Sequence, residues 1–221
     1  MTIEVKDLVK KYSRGGREID ALKGINLSIS TGDFFSISGR SGSGKSTLVN
    51  IIAGLTKPTS GGVYCDGKDI FSFSDEEVSL YRNNVIGCIP QGNSALASLS
   101  VIDNVRLPFY FSPHAGDSTE KAIDLLKQLQ IDTLAESYPK TLSGGELKRM
   151  AIARAMVISP GFLLADEPTG DVDEQTTHTI MEIFRKAADK GMAVLMITHD
   201  PKTIEFTDKN FVMASGVLAQ N

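Results

Sequence analysis

Gly39-Arg40-Ser41-Gly42-Ser43-Gly44-Lys45-Ser46-Thr47 fits the pattern G-x-x-x-x-G-K-[ST], and it lies where the apolar run Phe34-Phe35-Ser36-Ile37 gives way to the helical pattern Leu48-Val49-Asn50-Ile51-Ile52. Strand, glycine-rich loop and helix in that order make a phosphate-binding loop. The glycines let backbone N–H groups turn inward, the helix adds its positive end, and Lys45 can reach the β- and γ-phosphates of a nucleotide. Ser46 then supplies a hydroxyl to Mg²⁺. The plainer reading, a flexible Gly/Ser turn, does not account for the flanking strand and helix.

Further along, Phe162-Leu163-Leu164-Ala165 ends in Asp166-Glu167, two carboxylates at the strand exit where an open α/β sheet exposes its ligand crevice. Asp166 is suited to hold Mg²⁺ opposite Ser46, because Mg²⁺ takes a few hard oxygens together with phosphates and waters. Glu167 is left as a general base or as an orienter of the attacking water. A helix is expected over about 174–190, and Ala193-Val194-Leu195-Met196-Ile197-Thr198 is another buried strand. Continuous apolar strands alternating with helices mean a mainly parallel sheet covered on both faces.

Ahead of the phosphate loop, Ile3 to Lys10 and Leu22 to Ile29 alternate apolar and polar residues on either side of the glycine- and charge-rich Ser13 to Arg17, which predicts antiparallel strands. Tyr12 closes the first of them, either as a surface aromatic or as a flat platform for an adenine ring. Val63 to Ile70 reads as a hairpin turning at Asp66-Gly67, and Ser74-Asp75-Glu76-Glu77 opens a short helix. Val85 to Ile89 is of strand length and ends at Pro90-Gln91. From Gly92 to about Val157 the pattern is helical. Asp117-Ser118-Thr119-Glu120 supplies an N-cap and an acid for a helix carrying Ile123, Leu126 and Leu129, and Pro108, Pro113 and Pro139 mark the joints. A closing hairpin turns at Ser215-Gly216. The expectation is one domain over residues 1–221, with 1–91 and 158–221 as a nucleotide-binding α/β core plus antiparallel β-subdomain and 92–157 as an inserted helical subdomain.

The bulk composition narrows the partners. With 221 residues, 41% hydrophobic and 23% charged, the chain can bury a proper core, and a net charge of −4 leaves no electrostatic footprint for nucleic acid. No run approaches the roughly 18 apolar residues of a membrane span, so a membrane role is expected to come through a partner. The two cysteines, Cys65 and Cys88, have no metal-binding spacing and are expected to be reduced core residues of a cytosolic protein.

Leu142-Ser143-Gly144-Gly145-Glu146 has capping-box spacing before Leu147, Met150, Ala151 and Ala155. A capping box leaves unexplained why two glycines stand in the first turn of a helix, where each costs about 1 kcal/mol relative to alanine. A second anion-binding helix start, with Ser143 and bare N–H groups facing a phosphate, accounts for them. Gly39 to Thr47, Gln91, Leu142 to Glu146, Leu163 to Glu167 and His199 occur in that order. The whole set resembles the nucleotide-binding subunit of an ABC transporter, and nearly the entire chain is covered.

That resemblance implies an ABC ATPase fold, a P-loop NTPase (RecA-like) core, and ATP with Mg²⁺ as ligands. It implies that Tyr12 stacks on adenine, that Gly39, Arg40, Ser41, Gly42, Ser43, Gly44, Lys45, Ser46 and Thr47 cradle the phosphates, and that Ser46, Gln91 and Asp166 surround the metal. Glu167, His199, Lys45 and Gln91 are the implied catalytic residues. Ser143, Gly144, Gly145, Glu146 and Asp173 are implied to meet the nucleotide held by a second copy, in a head-to-tail dimer enclosing two ATP molecules. Glu146, Ala165 to Gly170 and Val101 to Pro108 look like the lipoprotein-release, macrolide-export and bacitracin-type peptide-resistance group. Such a chain would energise export or extraction by a separate membrane permease, contacted through Gly92 to Leu99 and the helical lobe. It would sit on the cytoplasmic face of the cell membrane, with no insertion of its own and no nucleic acid. Arg40, Pro90 and Asp171 depart from the family's usual residues. His114 and His178 read as ordinary surface or core histidines. The alternatives are a soluble ABC ATPase of DNA repair or translation, which predicts tandem nucleotide domains or a long coiled-coil insertion, and a regulatory module without turnover.

Overall fold

The computed structural model of the chain describes residues 1–92, 94–111, 118–170 and 172–220. Strands β1 (Thr2–Arg14) and β2 (Arg17–Ser30) form a long antiparallel hairpin. The loop expected between them shrinks to Gly15-Gly16, at φ +58° and +76°, because two such residues close a tight hairpin and let both strands run to the turn. β3 (Phe34–Ser38) leads through the phosphate loop into α1 (Lys45–Ile52). β4 (Ser60–Cys65) and β5 (Lys68–Asp69) make the second hairpin, turning at Asp66 (φ +47°) and Gly67 (φ +80°). Ser74 and Glu77 form a reciprocal capping box on α2 (Asp75–Leu80), which runs through a π-helical turn at Tyr81–Val85 into β6 (Ile86–Ile89).

The described part of residues 92–157 holds α3 (Val101–Tyr110), α4 (Thr119–Gln128) and α5 (Gly144–Met156) and contributes no strand. Two expectations change here. Pro108 stands inside α3, in its last turn, so it ends the helix two residues later instead of separating two helices. The N-cap of α4 is Ser118 and its side chain makes no cap bond; its hydroxyl accepts from Arg106 Nε at 2.9 Å instead. Asp117, Pro113, His114 and Asp171 lie outside the described residues. The chain then completes the sheet with β7 (Phe162–Asp166), α6 (Glu174–Asp189), β8 (Ala193–Ile197), α7 (Pro201–Ile204), β9 (Lys209–Ala214) and β10 (Val217–Gln220).

Six strands in the order β10-β9-β3-β8-β7-β6 form one sheet, parallel except for β10, and β2-β1-β4-β5 form a second, antiparallel one. The continuous apolar runs follow from burial on both faces, since neighbouring side chains on a strand point to opposite sides. Phe34 packs edge-on to Phe184 of α6 at 6.4 Å, while Phe35 meets Phe211 of β9 at 5.6 Å on the other face. Leu163, Ala165, Val194 and Met196 join Phe34 in a core with α3 to α6. Leu164, Leu195 and Ile197 join Phe35 in a core with α1, β1 and β2. The cysteines are free thiols and only half-buried, at the margin of this second core rather than inside it. No described helix is long and apolar enough to cross a membrane.

Gly87 of β6 brings the sheet against the end of α5: a Cβ there would lie 2.3 Å from the Ala155 carbonyl oxygen and 2.8 Å from Pro160. Gly87→Ala is therefore expected to destabilise the fold by about 1–3 kcal/mol, the usual cost of overpacking, read as a lowered urea midpoint at unchanged slope.

Candidate nucleotide site

The phosphate loop is shaped by glycines with different reasons to be there. A Cβ on Gly39 (φ +142°) would lie 2.2 Å from the Met213 carbonyl oxygen, and one on Gly44 (φ +112°) 2.4 Å from that of Ala21, so the chain's own packing demands both. Gly42 (φ +76°) faces open space and is required only by its backbone. Gly44 caps α1 without a side-chain bond, which leaves the first-turn N–H groups to an anion. Lys45 is 9% exposed, and its ammonium donates to the carbonyl oxygens of Gly39 at 2.7 Å and Arg40 at 3.0 Å. A cleft of about 560 Å³ runs from this loop to Tyr12, which is 42% exposed and has Lys10 Nζ 5.0 Å from its ring centre.

Ile19, Asp20 and Ala21 of β2 also line the cleft, and sequence reasoning missed them. Their signal was the Gly15-Gly16 turn: a two-residue turn sets Ile19 opposite Tyr12, as the register has it.

Gln91, Asp166, Glu167 and His199 close the same cleft. Asp166, 7% exposed, lines this cleft together with Ser46. Burial pushes its carboxyl up, the nearby Ser46 hydroxyl pulls it down and the Glu167 charge raises it, with a net rise. A hydroxyl and a buried carboxylate, two hard oxygen donors lining one cleft beside a phosphate loop, fit Mg²⁺, which completes its shell with phosphate oxygens and waters.

Glu167 has φ +51°, a left-handed backbone that costs about 1–3 kcal/mol in a residue with a side chain and persists only when its surroundings fix it. They do so from three sides. Its N–H donates to the Ile197 carbonyl at 3.0 Å, and its own carbonyl accepts from Gly170 N at 3.2 Å and Lys148 Nζ at 3.0 Å. The carboxylate then meets Gln91 Nε2 at 3.5 Å and His199 Nδ1 at 3.3 Å. Pro90 thus does not turn Gln91 away from the site. His178 stays outside it, 3.7 Å from Glu182 on the surface of α6.

Ser143, Gly144, Gly145, Glu146 and Asp173 do not line this cleft. Ser143 caps α5: its N–H and hydroxyl donate to Glu146 Oε2 at 2.7 and 2.8 Å, and Glu146 N–H returns a bond to the hydroxyl at 3.4 Å. The bonds from Ser143 hold the Glu146 carboxyl below its usual range. A Cβ on Gly144 would meet nothing within 4 Å, and one on Gly145 only Val172 at 3.5 Å. The chain's own packing does not ask for glycine at either place. Asp173 caps α6 and accepts from Thr176 N–H at 2.9 Å and the Thr176 hydroxyl at 2.6 Å, which lowers its carboxyl as well.

Parallel strands that deliver a phosphate loop and a buried carboxylate pair to one crevice define a class, the phosphate-loop nucleoside triphosphatases. Within it, the family described as ABC transporter matches residues 22–170, and the chain belongs to that family. The lipoprotein-releasing system ATP-binding protein LolD of Bdellovibrio bacteriovorus is 40% identical over 199 residues, 88% of this chain and 89% of that protein. The macrolide export ATP-binding/permease protein MacB of Chlorobaculum tepidum is 38% identical over 99% of this chain, which spans only 34% of that protein's length. The fold matches a dimeric post-hydrolysis structure of the ATP-binding cassette MJ0796 bound to ADP and Pi, with TM-score 0.93 and 35% identity over 99% of this chain and 98% of the other. MJ0796 comes from Methanocaldococcus jannaschii.

Ser143→Ala is expected to cost about 0.5–2 kcal/mol of stability, and Glu146→Gln less, because glutamine still completes the capping box. A carboxyl lowered by folding stabilises above its unfolded value, about 4.3, and loses that contribution as the pH falls through its lowered value. Denaturation series across acid pH are expected to show a shallower decline in Glu146→Gln than in the natural chain.

Proposed function

We propose that this chain is the ATP-binding and ATP-hydrolysing subunit of an ABC transporter, energising export or extraction of a lipophilic or peptide-like substrate by a separate membrane subunit. It works at the cytoplasmic face of the membrane, held there by that partner. The observation that carries the proposal is the division of the site. The cradle, the metal-side oxygens and the hydrolytic carboxylate share one cleft, while the capped, glycine-bearing start of α5 lies apart from it, free for the nucleotide of a second copy. The dimeric form of the structurally similar MJ0796 supports the same arrangement.

In the proposed mechanism Tyr12 stacks on the adenine, and Lys45 with the first N–H groups of α1 neutralises the β- and γ-phosphates. Ser46 and Asp166, with Gln91 beside them, hold Mg²⁺, which when bound offsets charge on the transferring phosphoryl group. Glu167 orients the attacking water and takes its proton, while His199 and Gln91 fix the direction of its carboxylate. Ser143 and the N–H groups of Gly144 and Gly145 grip the γ-phosphate of the partner's nucleotide. Closure is thus favoured by ATP over ADP, the differential affinity that any two-state shift requires. Asp173 holds the start of α6 at the junction between copies. Residues 92–157 act as a lobe that carries α5 and docks the membrane subunit, a reading supported by the exposed Leu96, Tyr110 and Phe111.

Glu167→Gln is expected to bind ATP and dimerise but to hydrolyse about 10²- to 10⁴-fold more slowly, and normal phosphate release would refute the assignment. Gly144→Ala is expected to stabilise the isolated chain by up to about 1 kcal/mol and yet to abolish ATP-dependent dimerisation, since only the second copy needs the glycine. Chemical denaturation beside light scattering separates the two effects.

A further inference from the structure

Helix α5 touches three other segments of its own chain with three cations. Lys148 Nζ donates to the Glu167 carbonyl at 3.0 Å. Arg149 Nη1 donates at 3.1 Å to the Thr176 hydroxyl, which itself donates to Asp173. Arg154 donates to the Ser94 carbonyl at 2.8 Å and to the Ser94 hydroxyl, three residues beyond Gln91. The start of the same helix, at Gly144, lies outside its own nucleotide cleft. In the two-copy arrangement proposed above, on which this inference rests, α5 therefore abuts one nucleotide with its N-terminus and, through Lys148, grips the backbone carbonyl of Glu167, whose carboxylate serves the other nucleotide.

We propose that Lys148 is a positioning residue that couples the two nucleotide sites, by tying the helix that receives the γ-phosphate in one site to the backbone of the hydrolytic Glu167 in the other. Among the described residues the Glu167 carbonyl has two donors, Lys148 Nζ and Gly170 N–H. A bond from an ionised donor is about twice as strong as one between neutral groups, so the ammonium is the firmer hold. Gly144 and Lys148 are about one helical turn, roughly 6 Å, apart on a rigid element, so movement of the helix start onto a phosphate carries the ammonium with it. A shift of the Glu167 peptide re-aims a carboxylate that stands 3.5 Å from Gln91 and 3.3 Å from His199. Positive φ makes this peptide the natural place for such control, because its left-handed geometry is held by its contacts and not by local preference.

The test compares Lys148→Met, which keeps the stem and removes the ammonium, with Lys148→Arg and the natural chain. Lys148→Met is expected to lower kcat about tenfold, with ATP affinity and thermal midpoint unchanged. The Hill coefficient of hydrolysis is expected to fall from above 1 to about 1. Lys148→Arg is expected to recover most of the rate and the cooperativity. A Lys148→Met chain with natural kcat and natural Hill coefficient overturns the inference, and so does a loss of rate that merely follows a loss of thermal stability. A natural chain that neither hydrolyses ATP nor dimerises with it contradicts the proposed function itself, and this coupling with it.

Discussion

Because β3, β8 and β7 run parallel and side by side, whatever follows their carboxyl ends arrives in one crevice. The register is tight: Ile37 pairs with Ile197, and Ile197 with Asp166. Glu167 comes one residue beyond that row, and the phosphate loop at Gly39 and His199 two residues beyond. The distances of 3.3 and 3.5 Å around the Glu167 carboxylate follow from this alignment, together with the Glu167 N–H bond to the Ile197 carbonyl. Phe34 and Phe35 hold the alignment from opposite faces, so the two cores are as much a part of the site as its polar residues.

Much of the design puts function ahead of local stability. Two glycines open α5, Glu167 stands in a left-handed backbone, and Asp166 is buried with its carboxyl raised by desolvation and by a neighbouring carboxylate. Each feature is unfavourable in the isolated chain and becomes intelligible under the proposed function, in which these residues meet phosphates and a metal. By contrast Gly39 and Gly44 answer to the protein's own packing, so glycine alone does not mark a ligand contact.

The phosphate loop, the carboxylate pair and the hairpins turning at Asp66-Gly67 and Ser215-Gly216 were legible in the sequence because each is a local pattern with a local cause. Parallel pairing was legible from unbroken apolar runs. Other features depended on tertiary contacts and left no local mark. Lys148, Arg149 and Arg154 look like ordinary solvent-facing helix cations until β7, α6 and the Gln91 loop are packed beside them. The Ser118 hydroxyl is taken by Arg106 instead of making a cap bond on α4, and Pro108 stands within the last turn of α3. Ile19, Asp20 and Ala21 became visible only once the hairpin register was known.

The central claim is that a complete site takes its cradle from one copy and its α5 start from another. It is tested most directly by mixing two inactive variants: Lys45→Ala, with a disabled cradle and an intact α5, and Gly145→Asp, with an intact cradle and a blocked α5. Neither is expected to hydrolyse ATP alone. Mixed in equal amounts they should regain hydrolysis, at most about a quarter of the natural rate, since half of the pairs are mixed, each mixed pair holds one intact site of two, and coupling to the dead site can only lower its rate. A mixture that remains as inactive as its components, with mixed pairs demonstrably formed, would contradict the account.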